Sequence, residues 1–182
     1  DFHCWVQWVL EAQLAQAAAA VRSHAYPAGL YCDLPVACDQ AGPDRWANAY
    51  LFAQGIRVGS PPDDFNPQGQ DWGFPALRPL SHCPDVLAYF RESIRSVARS
   101  AGIIRLDHVM RLARLYSIPD TFSARDGVYV RDHFEALLRV IAIESHRQRT
   151  LVVGEDLGTV PEYFRSALDR FGILSYRLVM FE

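Results

Sequence analysis

The sequence predicts an α/β protein, with parallel strands covered by helices. Three observations carry this. Apolar strand-like segments alternate with helix-period segments. The apolar segments end in acids: Asp33 near the first, then Asp107, Glu155 and Glu182. No glycine-rich phosphate loop follows any of them, which counts against a doubly wound nucleotide-binding sheet as the runner-up.

The elements follow in order. Phe2, Trp5, Val9 and Ala12 recur at helical spacing, and an alanine-rich tract extends the helix to about Arg22. "GLYCDLP", Gly29 to Pro35, is a short strand opened by glycine and closed by proline. "DRWANAYLF" suits a short helix. From Gly55 to Pro84 the chain is dense in proline and glycine without period, which predicts one long inserted loop of functional character. Pro84 to Ser100 is a helix with Val86, Leu87, Phe90, Ile94 and Val97 on one face, ended by Gly102. Ile103 to Asp107 is a strand, followed by a helical turn and a loop. A helix runs from about Arg131 to Arg147, and Thr150 to Glu155 is a buried strand. Thr159 with Glu162 forms a capping box for a helix reaching Phe171. Leu174 to Phe181 is the last strand.

Four strands alternating with helices are half of a (β/α)8 barrel, which needs eight strands and roughly 250 residues. Together with flanks that start and stop inside core-like segments, this predicts that residues 1–182 are a central fragment of a catalytic barrel with parallel strands, outer helices and a long inserted loop. The remaining strands are then expected from the rest of a parent chain.

Composition narrows the function. Half of the residues are hydrophobic and 21% are charged, with a net charge of −3. No basic run is present, so neither nucleic acid nor an anionic membrane is an expected partner. The 18 basic residues are all arginine. Cys4, Cys32, Cys38 and Cys83 form no C-x-x-C pair, which argues against zinc and for free thiols in a reducing, cytoplasmic setting. No apolar run has the length of a membrane span, and no signal peptide is visible.

The opening of "RLDH" shows what the strand-end acids are for. Side chains alternate along a strand, so Arg105 and Asp107 share one face while Ile104 and Leu106 face the outer helices. By the same parity Glu155 shares a face with Val153, and Gly154 faces a helix. In parallel α/β folds chemistry gathers at the C-terminal ends of strands. Two carboxylates on neighbouring strands suit a retaining glycosidase or transglycosidase, with a separation of about 5–5.5 Å. One attacks the anomeric carbon; the other arrives protonated and donates to the leaving oxygen. Arg105 would favour the charged form of its neighbour. An isolated acid after a strand also serves as a helix N-cap. His108 and Asp156 each read as supporting groups. Asp107, Glu155 and Glu182 could alternatively bind Mg²⁺ for proton abstraction beside a carboxylate. The segment around Asp63, Phe65, Asn66, Gln70 and Trp72 favours sugar, because aromatic faces pack on pyranose rings while amides and acids bind hydroxyls.

Four segments, "GLYCDLPVACD", "PPDDFNPQGQDWGFP", "IIRLDHVMRL" and "LVVGEDLGTVP", occur in an order and at spacings that resemble the 4-α-glucanotransferases of glycoside hydrolase family 77, also called amylomaltases or disproportionating enzymes. The match is to the bacterial maltodextrin-utilising type, and it runs through essentially the whole chain. The resemblance implies a (β/α)8 barrel that moves α-1,4-glucan segments from a donor to the 4-OH of glucose or a maltooligosaccharide acceptor, without metal or other cofactor. It implies Asp107 as nucleophile, Glu155 as general acid/base and Arg105 as support for the nucleophile. Tyr31, Asp33, Asp63, Gln70, Trp72 and His108 match glucan-contacting or site-shaping positions. The family often has Tyr and Ser around the loop phenylalanine, where this chain has Asp64 and Asn66. A third acid is expected beyond Glu182. An α-glucan hydrolase of similar architecture, a Mg²⁺-dependent lyase or racemase, and a non-catalytic glucan-binding piece are the alternatives.

Overall fold

A computed structural model describes residues 1–24, 28–158, 160–176 and 178–179. The chain forms two compact units, one of Asp1–Leu34, Arg91–Asp107 and Ile141–Glu182, the other of Pro35–Phe90 and His108–Val140. In chain order the elements are α1 (Phe2–Ser23), β1 (Leu30–Leu34), α2 (Pro43–Ala47), a 3-10 turn at Ala49–Leu51, β2 (Phe52–Ser60), β3 (Gln70–Leu77), α3 (Asp85–Ala98) and β4 (Ala101–Leu106). A 3-10 turn at Val109–Leu112 follows, then β5 (Arg114–Pro119), β6 (Val128–Arg131), α4 (Phe134–Gln148), β7 (Leu151–Gly154), α5 (Glu162–Arg170) and β8 (Leu174–Ser175).

The first unit is built on a parallel sheet of order β1-β4-β7-β8. Its registers put Cys32, Ile104 and Val152 on one rung and Leu34, Leu106 and Gly154 on another. Ile104, Leu106 and Val152 are buried, as are Phe164 and Leu168 of α5. The opposite face carries Tyr31, Leu151 and Leu174, each more than half exposed. The predicted parity of β4 holds for Ile104 and Leu106, which are covered, while Arg105 lies with Ile103 on the open face.

Gly102 is a correction. It does not end a helix but lies inside β4, where the register slips between Leu30 and Tyr31 of β1. A Cβ there would come 2.0 Å from the carbonyl oxygen of Ala28, so only glycine lets β1 start this close.

The second unit holds an antiparallel sheet of order β3-β2-β5-β6. This overturns the prediction of one long inserted loop. Residues 52–60 and 70–77 pair as strands, leaving only residues 61–69 as the connection. β5 and β6 likewise occupy what reads as a loop after Asp107. Gly and Pro hide these strands from a propensity reading, yet the sheet tolerates both. Pro75 sits on the edge strand β3, where a missing N–H costs least. Gly59 permits a close crossing, since a Cβ would meet the Gln70 carbonyl at 1.9 Å. The core here includes Val58, Tyr116, Ile118 and Ala124, with the Tyr116 hydroxyl donating to the Ala124 carbonyl at 2.7 Å.

α5 begins at Glu162 with Pro161 at its N-cap and no side-chain cap; Thr159, half of the predicted capping box, lies outside the described residues. The last predicted strand is described only as Leu174–Ser175, and Glu182 also lies outside the described residues. Among the described residues no helix is long and apolar enough to cross a membrane.

One ion pair locks the first unit. Glu144 of α4 is 1% exposed and accepts both Arg95 Nε (2.7 Å) and Arg95 Nη2 (2.9 Å), with Arg147 Nη1 at 3.2 Å. The hydrogen bonds from Arg95 outweigh the desolvation of Glu144 and hold its carboxyl below the usual glutamate value. A depressed folded-state value means stability that is present above the unfolded value, about 4.3, and lost as pH falls through the folded one. Glu144→Gln should therefore flatten the acid limb of the stability–pH curve below about pH 4.3. Thermal unfolding of the wild-type protein and the variant from pH 3 to 7 checks this; parallel curves would show that Glu144 does not drive the acid limb.

Candidate active site

The site in the first unit grows out of strand register. Asp33 of β1 pairs with Arg105 of β4, and Arg105 with Val153 of β7, so Asp33 and Arg105 leave the same face at the same level. Arg105 Nη1 donates to both oxygens of Asp33, at 2.7 and 2.9 Å. Arg105 Nη2 lies 2.7 Å from Asp107 Oδ1. One planar guanidinium thus grips two carboxylates, the geometry that suits arginine and not lysine. Burial of the guanidinium opposes its charge, but the hydrogen bonds and charges of Asp33 and Asp107 outweigh this and raise its pKa above the ordinary arginine value. The cation beside Asp107 is permanent.

The two candidate catalytic acids stand just past the ends of adjacent parallel strands. The Asp107 amide donates to the Leu34 carbonyl (3.0 Å), and the Glu155 amide to the Leu106 carbonyl (2.9 Å). Since Leu106 pairs with Gly154, Asp107 and Glu155 follow on the same rung, on strands about 4.8 Å apart. Glu155 Oε1 accepts the Leu157 amide at 3.0 Å, which fixes one oxygen and orients the other.

Tyr31 and Tyr176 complete the cluster. Their hydroxyls are 3.1 Å apart, and the Arg105 guanidinium carbon sits 5.7 Å from the Tyr176 ring centroid. Partial desolvation and the hydrogen bond with Tyr176 push the Tyr31 phenol up to about 12, so it is a neutral hydroxyl at physiological pH.

The second unit carries the other predicted residues. Asp63 Oδ1 accepts the amides of Phe65 (2.9 Å) and Asn66 (2.6 Å), so this carboxylate shapes the 61–69 turn and leaves the Phe65 ring exposed. Trp72 Nε1 donates to Gln70 Oε1 at 3.2 Å. The Trp72 and His108 rings meet edge to face with centroids 5.2 Å apart. His108 is left-handed (φ 44°), which turns the chain out of β4 and sets its ring against Trp72. The structure thus gathers Tyr31, Asp33, Arg105, Asp107 and Glu155 in one unit, and Gln70, Trp72 and His108 in the other.

Comparison with known proteins decides the family. A family model described as 4-alpha-glucanotransferase, glycoside hydrolase family 77, matches residues 1–182. The chain belongs to this family. It is similar to the 4-alpha-glucanotransferase of Mycobacterium tuberculosis (strain H37Rv), with 41% identity over all of this chain and 25% of that protein. It is similar also to that of Haemophilus influenzae, with 37% identity over all of this chain and 26% of that protein. The amylomaltase structure from Corynebacterium glutamicum superposes with a TM-score of 0.90 at 35% identity, covering 96% of this chain and 25% of that one. The chain spans about a quarter of the length of the curated relatives it matches.

Within this family-77 chain, Tyr176 gains a weight that sequence reading did not give it, and Asp156, read there only as a supporting group, gains partners. Tyr176 follows the short β8, and nothing local marks it as a neighbour of Arg105. Asp156 is 2% exposed and bound to Arg165 Nε (2.8 Å) and the Tyr176 amide (3.1 Å). Parity could have found its burial, since Asp156 follows Gly154 by two on the covered face.

Proposed function

We propose that the protein carrying this chain is a 4-α-glucanotransferase acting by retaining double displacement, and that residues 1–182 are the middle of its (β/α)8 barrel. The observation that carries this reading is the Arg105 clamp on Asp107, at a strand end level with Glu155 on the adjacent strand. Asp107 attacks the anomeric carbon of the donor glucan while Glu155 protonates the departing glycosidic oxygen. A covalent glycosyl-enzyme forms. Glu155, now ionised, removes the proton from the acceptor 4-OH, which displaces Asp107. Arg105 keeps the nucleophile aimed, and Asp33 anchors Arg105. Tyr31 offers a neutral hydroxyl to the sugar. Asp63 holds the turn, while Gln70, Trp72 and His108 supply amide, ring and imidazole contacts to the glucan. This chemistry uses no metal. The unbonded thiols of Cys4, Cys32, Cys38 and Cys83 fit a reducing cytoplasm.

Incubating the full-length protein with maltotriose tests this. Transfer yields glucose together with longer maltodextrins and no net gain of reducing ends. Hydrolysis raises reducing ends, which would favour the hydrolase alternative. Loss of activity with chelator would favour the Mg²⁺ chemistry instead.

The 182-residue chain alone should be inactive and should self-associate. Among the described residues its parallel sheet ends in the edges β1 and β8, and its open face exposes Tyr31, Leu151 and Leu174. Unpaired edges and apolar faces invite another chain. Size-exclusion chromatography and glucose release from maltotriose check both halves; a monomer with parent-like activity would overturn the partial-barrel reading.

A further inference from the structure

We infer that Asp156 is a positioning residue for the transfer reaction, holding Tyr176 against Arg105; this rests on the reading of Asp107 as the nucleophile. A 2% exposed carboxylate is costly unless it is bound, and Asp156 divides its two oxygens between different tasks. Oδ2 takes Arg165 Nε at 2.8 Å, an ion pair with a side chain that is 58% exposed. Oδ1 takes the backbone amide of Tyr176 at 3.1 Å.

Among the described residues β8 pairs with β7 through Leu174 and Ser175, a ladder that ends one residue before Tyr176. The Asp156 carboxylate takes over where the ladder ends. With its amide fixed, Tyr176 sets its ring 5.7 Å from the Arg105 guanidinium and its hydroxyl 3.1 Å from Tyr31. An aromatic face against a guanidinium is an attractive contact that also restricts where the cation can swing. Arg105 has Asp33 on one side, the Tyr176 ring nearby and Asp107 as its charge partner. The chain of contact therefore runs from Asp156 through Tyr176 and Arg105 to the attacking oxygen. Asp156 touches no reacting atom. It acts by limiting how far the clamp on Asp107 can drift.

The test uses the full-length protein with maltotriose, reading kcat and KM separately and the thermal midpoint of each variant. Asp156→Ala removes both contacts and should lower kcat about tenfold to a hundredfold, with KM changed less than about threefold. Asp156→Asn drops the ion pair, but the exposed Arg165 can turn to water while the amide oxygen stays on the Tyr176 N–H. It should lose thermal stability yet recover most of the kcat that alanine loses. Tyr176→Ala should reproduce the Asp156→Ala loss, and Tyr176→Phe, which retains the ring, should recover most of it. The double variant D156A/Y176A should be no slower than the slower single variant, because both act through one contact.

Several outcomes overturn the proposal. One is a kcat loss that follows thermal stability equally in Asp156→Asn and Asp156→Ala. Another is additive losses in the double variant. Wild-type kcat in Tyr176→Ala also overturns it, and that result decides the matter even if Asp156→Ala does not fold. Failure of the transfer reading looks different: the wild-type protein would leave maltotriose undisproportionated, and both proposals would fall together.

Discussion

Asp107→Asn in the full-length protein should abolish maltotriose disproportionation, with a loss of about 10³-fold or more, while the fold survives. The amide is nearly isosteric with the carboxylate. Its oxygen can still accept from Arg105 Nη2, and the backbone bond to Leu34 is untouched. What disappears is the negative charge and the nucleophilicity of the attacking oxygen, so no glycosyl-enzyme forms. Circular dichroism and the thermal midpoint check the fold, and glucose release from maltotriose checks the chemistry. Activity within tenfold of wild type would remove Asp107 from the nucleophile role.

Glu155→Gln should fail selectively. Gln retains an oxygen to accept the Leu157 amide and so sits where Glu155 sits. It has no proton to give to a departing sugar hydroxyl, so the rate on natural glucans should fall about 10²- to 10⁴-fold. A glycosyl fluoride needs little protonation of its leaving group and should still form the covalent intermediate. Comparing maltotriose with an α-maltosyl fluoride separates the two steps. Equal losses on both would show that Glu155 is not the acid, and the same comparison separates glycosyl transfer from Mg²⁺-assisted proton abstraction, which has no such leaving-group dependence.

Both predictions depend on side chains whose direction was legible from spacing. The period of a strand is two, so "IIRLDH" alone places Arg105 with Asp107 and turns Ile104 and Leu106 to the covered face. The four motifs likewise carry the family in their order and residue types. The antiparallel sheet was not legible. "FAQGIRVGS" and "QDWGFPAL" contain glycine and proline at positions that break any strand propensity, and what makes them strands is mutual pairing at close backbone approach.

The sequence by itself determined the local terms: which residues of β4 share a face, where the strand-end acids fall, and which family the motifs belong to. The strand faces depend on spacings of two residues, and the family on the order and residue types of four short segments. Only the tertiary structure decided that Asp33 is the second partner of Arg105, that Asp63 is committed to its own turn, and that the Tyr176 ring rests near the Arg105 guanidinium. Asp33 and Arg105 are 72 residues apart, and Tyr31 and Tyr176 are 145 apart. Their meeting is set by the register of parallel strands, which no local pattern encodes. A one-residue slip would turn each strand's side chains to the opposite face and separate these groups.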